Sequence, residues 1–281
     1  MTTIHQILLP TDFSEVAQAA YRFALQYAAK IKASIKVVHV VIPEYEALDL
    51  PVVAAQATKE RVEAARIAMK SFIDYGITQL ETTHQLDDIP KVTSEIEIGG
   101  VAETIHTFAE RDKADLIIMG TRDEHNAFDR FFGSVSSNVL ANTGCNVLIV
   151  PPDFRTSEVK NIAFATDLKS TDPYNIWKAA QMLEIFHPIF HCIHVGNGNN
   201  HEVNMNEIRD FFENRAPALQ MHFKEIEGNS VSEALNEYID TFEIDLLVMQ
   251  SPKRGFLERI FHTSITRKMT LGCNIPLLVM R

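Results

Sequence analysis

Cysteine is scarce in this chain of 281 residues. The three present, Cys145, Cys192 and Cys273, fall in neither a metal-binding nor a disulfide-like spacing. A disulfide framework is not expected, and a reduced, cytoplasmic compartment is. Long apolar runs are also missing: none approaches the roughly 20 residues that cross a bilayer, so no membrane partner is expected. The amino-terminal sequence MTTIHQILLPTDFS has no basic segment followed by a long apolar one, so no secretory leader is expected. Positive charge is short as well. Lys and Arg number 26 against 37 Asp and Glu, a formal net charge of −11, and no basic block stands out to neutralise phosphates. Nucleic acid is therefore not expected as a partner. Three catalytic signatures are absent: the Gly-x-x-x-x-Gly-Lys-Ser/Thr phosphate loop, the Gly-x-Ser-x-Gly nucleophile elbow and the paired-histidine zinc helix.

What remains is ordinary globular material, 46% apolar and 22% charged. The length suggests two domains of about 140 residues each. The stretch around which the chain is organised runs from Gly120 to Val150. A short apolar run, Leu116 to Met119, bounded by Asp115 and Gly120, reads as a buried strand. A polar loop follows and ends at Gly133-Ser134. An amphipathic segment, Val135 to Asn142, comes next, with Ser134 in the place of a helix N-cap. A second apolar run, Val147 to Val150, closes the unit. Strand, glycine-bounded loop, Ser-capped helix and strand is how open α/β sheets hold phosphate. A plainer reading of the same residues has Gly120 merely ending a strand and Gly133 relieving a turn.

In chain order, His5 to Pro10 reads as a strand ending in Thr11-Asp12. A helix is expected over about Ser14 to Ile31, a strand over Ile35 to Val41, and an irregular segment from Glu44 to Val53 with Pro43 and Pro51 as breakers. A helix over Thr58 to Tyr75, a strand near Val92 to Ile98 and a helix over Val101 to Arg111 follow. Pro151-Pro152-Asp153 reads as a linker, which sets the domains at 1–152 and 153–281. The second half repeats the first. At an offset of 155, Ile7, Thr11 and Asp12 match Ile162, Thr166 and Asp167, and His39-Val40 matches His194-Val195. At an offset of 130, Glu103, Asp115, Leu116, Met119 and Ser134 match Glu233, Asp245, Leu246, Met249 and Ser264. One α/β unit has been duplicated, and its second copy is trimmed in the middle to roughly 203–227. Alternating strands and helices imply a doubly wound parallel sheet in each half. Ligands of such sheets sit beyond the carboxyl ends of the strands, where Asp12, Asp167 and Gly120 stand.

The segments ILLPTDFS, VVHVV, ADLIIMG and FFGSVSSNVL, in this order and spacing, resemble the universal stress protein family, and the likeness covers nearly the whole chain as two tandem copies. The resemblance implies two Rossmann-like, five-stranded parallel sheets of strand order 3-2-1-4-5. Many members of the family bind ATP through Gly, two residues, Gly, nine residues, then Gly followed by Ser or Thr; others lack the motif and do not. The first copy supplies Gly120 and Gly133-Ser134 at that spacing, with Asp123 in place of the middle glycine. The implied site places Asp12, after Thr11, on the ribose and the backbone of Val40 and Val41 against adenine. Gly120, Gly133, Ser134, Val135 and Ser136 then present donors to the phosphates. Asp123 brings a like charge, worth about 1 kcal/mol at about 4 Å in water and about 4 near a protein surface. Arg122, Arg130 or a metal ion offsets part of it.

In the second copy Gln250, Lys253 and Thr263 replace the three glycines. The expected cofactor is therefore ATP with magnesium, in the N-terminal domain alone. The implied role is a stress-response regulator. The alternatives are a nucleotide-free interaction or scaffold protein and a slow ATPase using the same crevice. In the family the fifth strands of two copies pair; here Val147-Val150 is expected to pair with Leu277-Val279 within one chain, and a homodimer stays open. Two further groups have two readings each. Asp167, Cys192 and His194 suggest a metal site, but His194 repeats His39, which makes it a feature of the fold. Cys145 and Cys273 precede last strands, as small buried residues do more often than nucleophiles.

Overall fold

In the computed structural model the described residues are 4–43, 51–86, 88–120, 134–152, 154, 159–196, 201–228, 230–250 and 275–281. The chain divides into two compact units, Ile4–Pro152 and Asp153–Arg281. The first unit runs β1 (Gln6–Pro10), α1 (Glu15–Ile31), β2 (Ser34–Val41), α2 (Pro51–Thr82), β3 (Val92–Ile98), α3 (Val101–Arg111), β4 (Leu116–Gly120), α4 (Ser134–Asn142) and β5 (Asn146–Val150). Its strands are ordered β3-β2-β1-β4-β5, and every pairing among them is parallel. The second unit runs β6 (Asn161–Ala165), α5 (Asp172–Leu183), β7 (Ile189–Val195), α6 (Met205–Arg215), β8 (Met221–Ile226), α7 (Val231–Thr241), β9 (Leu246–Gln250) and β10 (Leu277–Met280). Its order, β10-β9-β6-β7-β8, is the same 3-2-1-4-5 winding. The doubly wound α/β fold expected from the alternating pattern is what each unit adopts.

The central strands are apolar runs because helices cover both faces of the sheet. Ile7, Leu8, Leu9, Leu116, Ile117 and Ile118 are all essentially inaccessible to water. α1 begins where Ser14, in an extended conformation, accepts the Ala17 N–H on its hydroxyl at 3.2 Å. It buries Ala17, Ala20, Phe23, Ala24 and Tyr27 at helical spacing and stops at Lys32, whose backbone is left-handed. α6 starts on a reciprocal cap between Asn204 and Glu207.

α2 is longer at both ends than the periodicity predicts. Pro51, expected to break structure, is its first residue, where a missing N–H costs nothing. Gly76, near its end, does not interrupt it. A Cβ at Gly76 would stand 2.5 Å from the Tyr21 ring, so a bare backbone is what lets α2 lie close on α1 there.

The matched pair Asp115 and Asp245 is a clamp at the amino ends of the strands. The Asp115 carboxylate accepts the His5 and Gln6 N–H groups at 2.7 and 3.0 Å. Asp245 accepts those of Lys160 and Asn161 at 2.7 and 2.8 Å.

Candidate functional site

Successive strands are added on one side of β1 as far as β3 and on its other side from β4 onward, and β1 and β4 lie side by side and parallel, with Ile7 opposite Leu116 and Leu8 opposite Ile117. The carboxyl ends of these two strands carry Thr11-Asp12 and Gly120, the place where ligands of doubly wound sheets generally bind. Thr11 extends β1 by donating its N–H to the Val38 carbonyl at 2.9 Å. Its hydroxyl accepts the Phe13 N–H at 2.9 Å, and the Asp12 carboxylate accepts that of Ser14 at 3.0 Å. These two bonds hold Phe13 in the left-handed region (φ 66°), which a bulky side chain rarely adopts. The Phe13 ring stacks on His39 with centroids 4.3 Å apart. His39 donates its Nδ1–H to the Thr11 carbonyl at 2.8 Å. Asp12 itself is exposed. It closes the turn before α1, while Ser14 caps the helix.

Gly120 meets a different demand. A Cβ there would lie 2.8 and 2.9 Å from the main-chain O and C of Val16. The end of β4 thus passes directly against the first turn of α1, and that contact alone requires glycine. Val40 and Val41, at the end of β2, are buried, and the Val41 carbonyl accepts the Gly99 N–H at 3.1 Å. Ser134 is the first residue of α4 rather than the residue before it. Val135 is half-buried, and Ser136 is 5% exposed. Arg122, Asp123, Arg130 and Gly133 lie outside the described residues. A groove of about 460 Å³ between α2 and β3, lined by Arg66, Met69, Ile73 and Ile96 among others, contains none of the candidate residues.

The second unit rebuilds the same turn with other chemistry. Thr166 donates its N–H to the Ile193 carbonyl at 2.8 Å, and His194 donates to the Thr166 carbonyl at 2.8 Å. The Thr166 hydroxyl accepts from Leu168, itself left-handed, at 3.0 Å. That hydroxyl also donates to the carboxylate of Asp172, a residue 2% exposed that accepts the Lys169 N–H at 3.1 Å as well. Asp167 pairs with Lys169 at 3.5 Å. Ala165, Asp167, Lys169, Asp172 and Gln250 enclose a cavity of about 10 Å³, on the scale of one water molecule. Lys253, Thr263, Ser264 and Cys273 lie outside the described residues.

The suggested metal group takes separate partners: Asp167 has Lys169, His194 has Thr166, and the Cys192 thiol sits 3.8 Å from the Met205 sulfur. Burial, with Asp172 nearby, pushes the Cys192 thiol up. Among the described residues no group of three or more His, Cys, Asp or Glu is placed to hold a metal ion. Cys145 lies 3.0 Å from the Ala114 carbonyl, and burial, helped by Asp115, pushes its thiol up to about 12. Neither thiol is set up as a nucleophile. Among the described residues no helix is long and apolar enough to cross a membrane.

Two clusters escaped the sequence reading because they form only across strands. Lys36, Glu95, Arg111 and Asp112 close a ring of ion pairs over Phe108 in the first unit. In the second, His191, His222, Tyr238 and Phe242 gather on the same face. The register that makes His191 face His222 is the only signal for the latter.

Comparison with known proteins agrees with this architecture. A universal stress protein of Methanocaldococcus jannaschii is 29% identical over 152 residues, covering 52% of this chain and 81% of its own length. One from Synechocystis is 22% identical over 296 residues and covers 98% of this chain and 99% of its own. The crystal structure of a universal stress protein from Archaeoglobus fulgidus superposes with a TM-score of 0.69 at 19% identity, covering 100% of this chain and 97% of that one. The model of the universal stress protein family matches residues 3–151 and 212–281, and the chain belongs to that family.

Proposed function

We propose that the first unit binds an adenine nucleotide, ATP with magnesium, and that the protein acts through that binding as a cytoplasmic stress-response regulator rather than as a catalyst. The observation that carries this reading is the exposed Asp12 carboxylate at the end of β1, one strand away from Gly120 at the end of β4. Asp12 receives the ribose hydroxyls, and the backbone at Val40 and Val41 lies beside the base. Main-chain N–H groups of Gly120, Gly133 and the start of α4 at Ser134, Val135 and Ser136 receive the phosphates, as helix amino termini do. Ser136 is buried, so its part is played by its peptide nitrogen. Arg122 offsets the charge of Asp123, and the unfavourable pair of like charges lowers affinity. The second unit is given no nucleotide: Gln250 stands in place of glycine at the end of β9, and the buried Asp172 stands at the start of α5, around room for about one water. Two free, buried thiols, Cys145 and Cys192, suit a reducing compartment.

Native mass spectrometry of the purified full chain, with a thermal-shift titration in ATP and magnesium, tests the reading. The expected result is one nucleotide per chain and a shift that Asp12→Ala abolishes and Asp167→Ala keeps. No copurified nucleotide and no shift at millimolar ATP would replace this reading with that of a nucleotide-free interaction protein. Phosphate release that Asp12→Ala removes would make it a slow ATPase.

A further inference from the structure

We propose that His191 and His222 form a two-imidazole binding site for a divalent transition-metal ion on the outer half of the second sheet. The two residues are register partners on adjacent parallel strands, β7 and β8, with ring centroids 5.2 Å apart. Zinc–nitrogen bonds of about 2.0–2.1 Å in tetrahedral geometry put two ligating imidazoles roughly 5 Å apart, centroid to centroid. His191 is 6% exposed, and its Nδ1 lies 3.0 Å from the Tyr238 hydroxyl. Its Nε2 is buried and has no hydrogen-bond partner among the described residues. A buried ring nitrogen without a partner is costly and calls for a water or an ion. When Nδ1–H donates to the phenol oxygen, Nε2 presents its lone pair, the arrangement in which an outer hydrogen bond orients a metal-bound histidine. Burial, with His222 beside it, holds the His191 imidazole down to about 4, so it is neutral and free to ligate at ordinary pH. His222 is exposed, which gives an ion a way in.

The first unit shows that the fold does not demand this cluster. Its counterparts of His191, Tyr238 and Phe242 are Lys36, Phe108 and Asp112, and there a closed ion-pair ring occupies the face. Two neutral nitrogens without thiolate or carboxylate suit zinc, nickel or copper(II), with water completing the coordination.

The test is calorimetric titration of the full-length, tag-free, chelator-treated protein with ZnCl2, beside long-range ¹H–¹⁵N spectra of the histidine rings. The expected result is a zinc equivalent that His222→Asn, a surface change, removes or weakens at least about tenfold. His201→Asn should leave it in place. Tyr238→Phe should keep the stoichiometry and weaken binding by roughly 10- to 100-fold. Zinc should move the His191 Nε2 resonance while Nδ1 keeps its proton. Unchanged binding in His222→Asn, no zinc bound by the wild type, or a His191 ring that does not respond would each overturn the proposal.

Discussion

His39 donates its Nδ1–H to the carbonyl oxygen of Thr11 at 2.8 Å, and His194 does the same to Thr166 at the same distance. A carbonyl only accepts, so the bond fixes the tautomer of each ring. In both units it pins the residue immediately before the strand-end aspartate, Thr11 before Asp12 and Thr166 before Asp167. His39→Ala removes this donor and the face on which Phe13 stacks. It should destabilise the protein by about 1–3 kcal/mol, read as a lower urea midpoint without nucleotide. An unchanged midpoint would show that the bond contributes nothing net.

Gly120→Ala should be destabilising whether or not ATP is present. The new methyl would press on the main chain of α1 at Val16, and overpacking of this kind costs about 1–3 kcal/mol. Val16→Ala should not rescue it: it would remove the 2.7 Å approach to Val16 Cγ1 but leave those to the main-chain O and C at 2.8 and 2.9 Å. If the apo midpoint of Gly120→Ala matches that of wild type, the glycine is there for a ligand only.

Acid should open the ring around Lys36. Glu95 and Asp112 are each held below the usual carboxylate range, first by their hydrogen bonds to Arg111 and also by Lys36. Folded-state values lower than unfolded ones mean that this stabilisation is fully present above the unfolded values of about 4. It is lost as pH falls through the folded ones. Denaturation midpoints measured from pH 7 down to pH 3 should therefore drop, and less steeply in Lys36→Met. Because the groups are partly exposed, 1 M salt should shrink the difference. A Lys36→Met profile parallel to wild type would remove the ring from the account of acid sensitivity.

Cys145 and Cys192 should resist iodoacetamide at pH 8 in the native protein and react readily once it is unfolded in urea. Both are buried, and burial pushes both thiols up, leaving little thiolate. Peptide mass mapping reads the two sites separately; native labelling of either would place that thiol in a locally opening segment.

Elements set by burial on both faces, such as β1 and β4, could be read from residues 7–9 and 116–119 because an unbroken apolar run has few other places to go. The duplication was readable from single matches such as Thr11 with Thr166, and these proved to be contact-making residues rather than core filler. The ends of α2 were not readable. Pro51 and Gly76 are breakers by propensity, and only the position of one at the first turn and the ring of Tyr21 beside the other make them compatible with helix. Gly120 was noticed for its phosphate motif, yet a neighbour 104 positions earlier in the chain, Val16, requires it independently. Side-chain groups that assemble across strands, such as His191 with His222, depend on register, which a one-residue slip would erase.

Asp115 and Asp245 fasten the amino ends of their sheets, opposite to the ends where the crevices lie. Anchorage and the proposed nucleotide site therefore lie at different poles of the first half, and the second half keeps the same anchorage. Substitutions at the recognition pole, even the exchange of a glycine for glutamine, leave the anchoring pole intact. A doubled gene built this way can let one half drift toward new chemistry while the other keeps the old, without either forfeiting its fold.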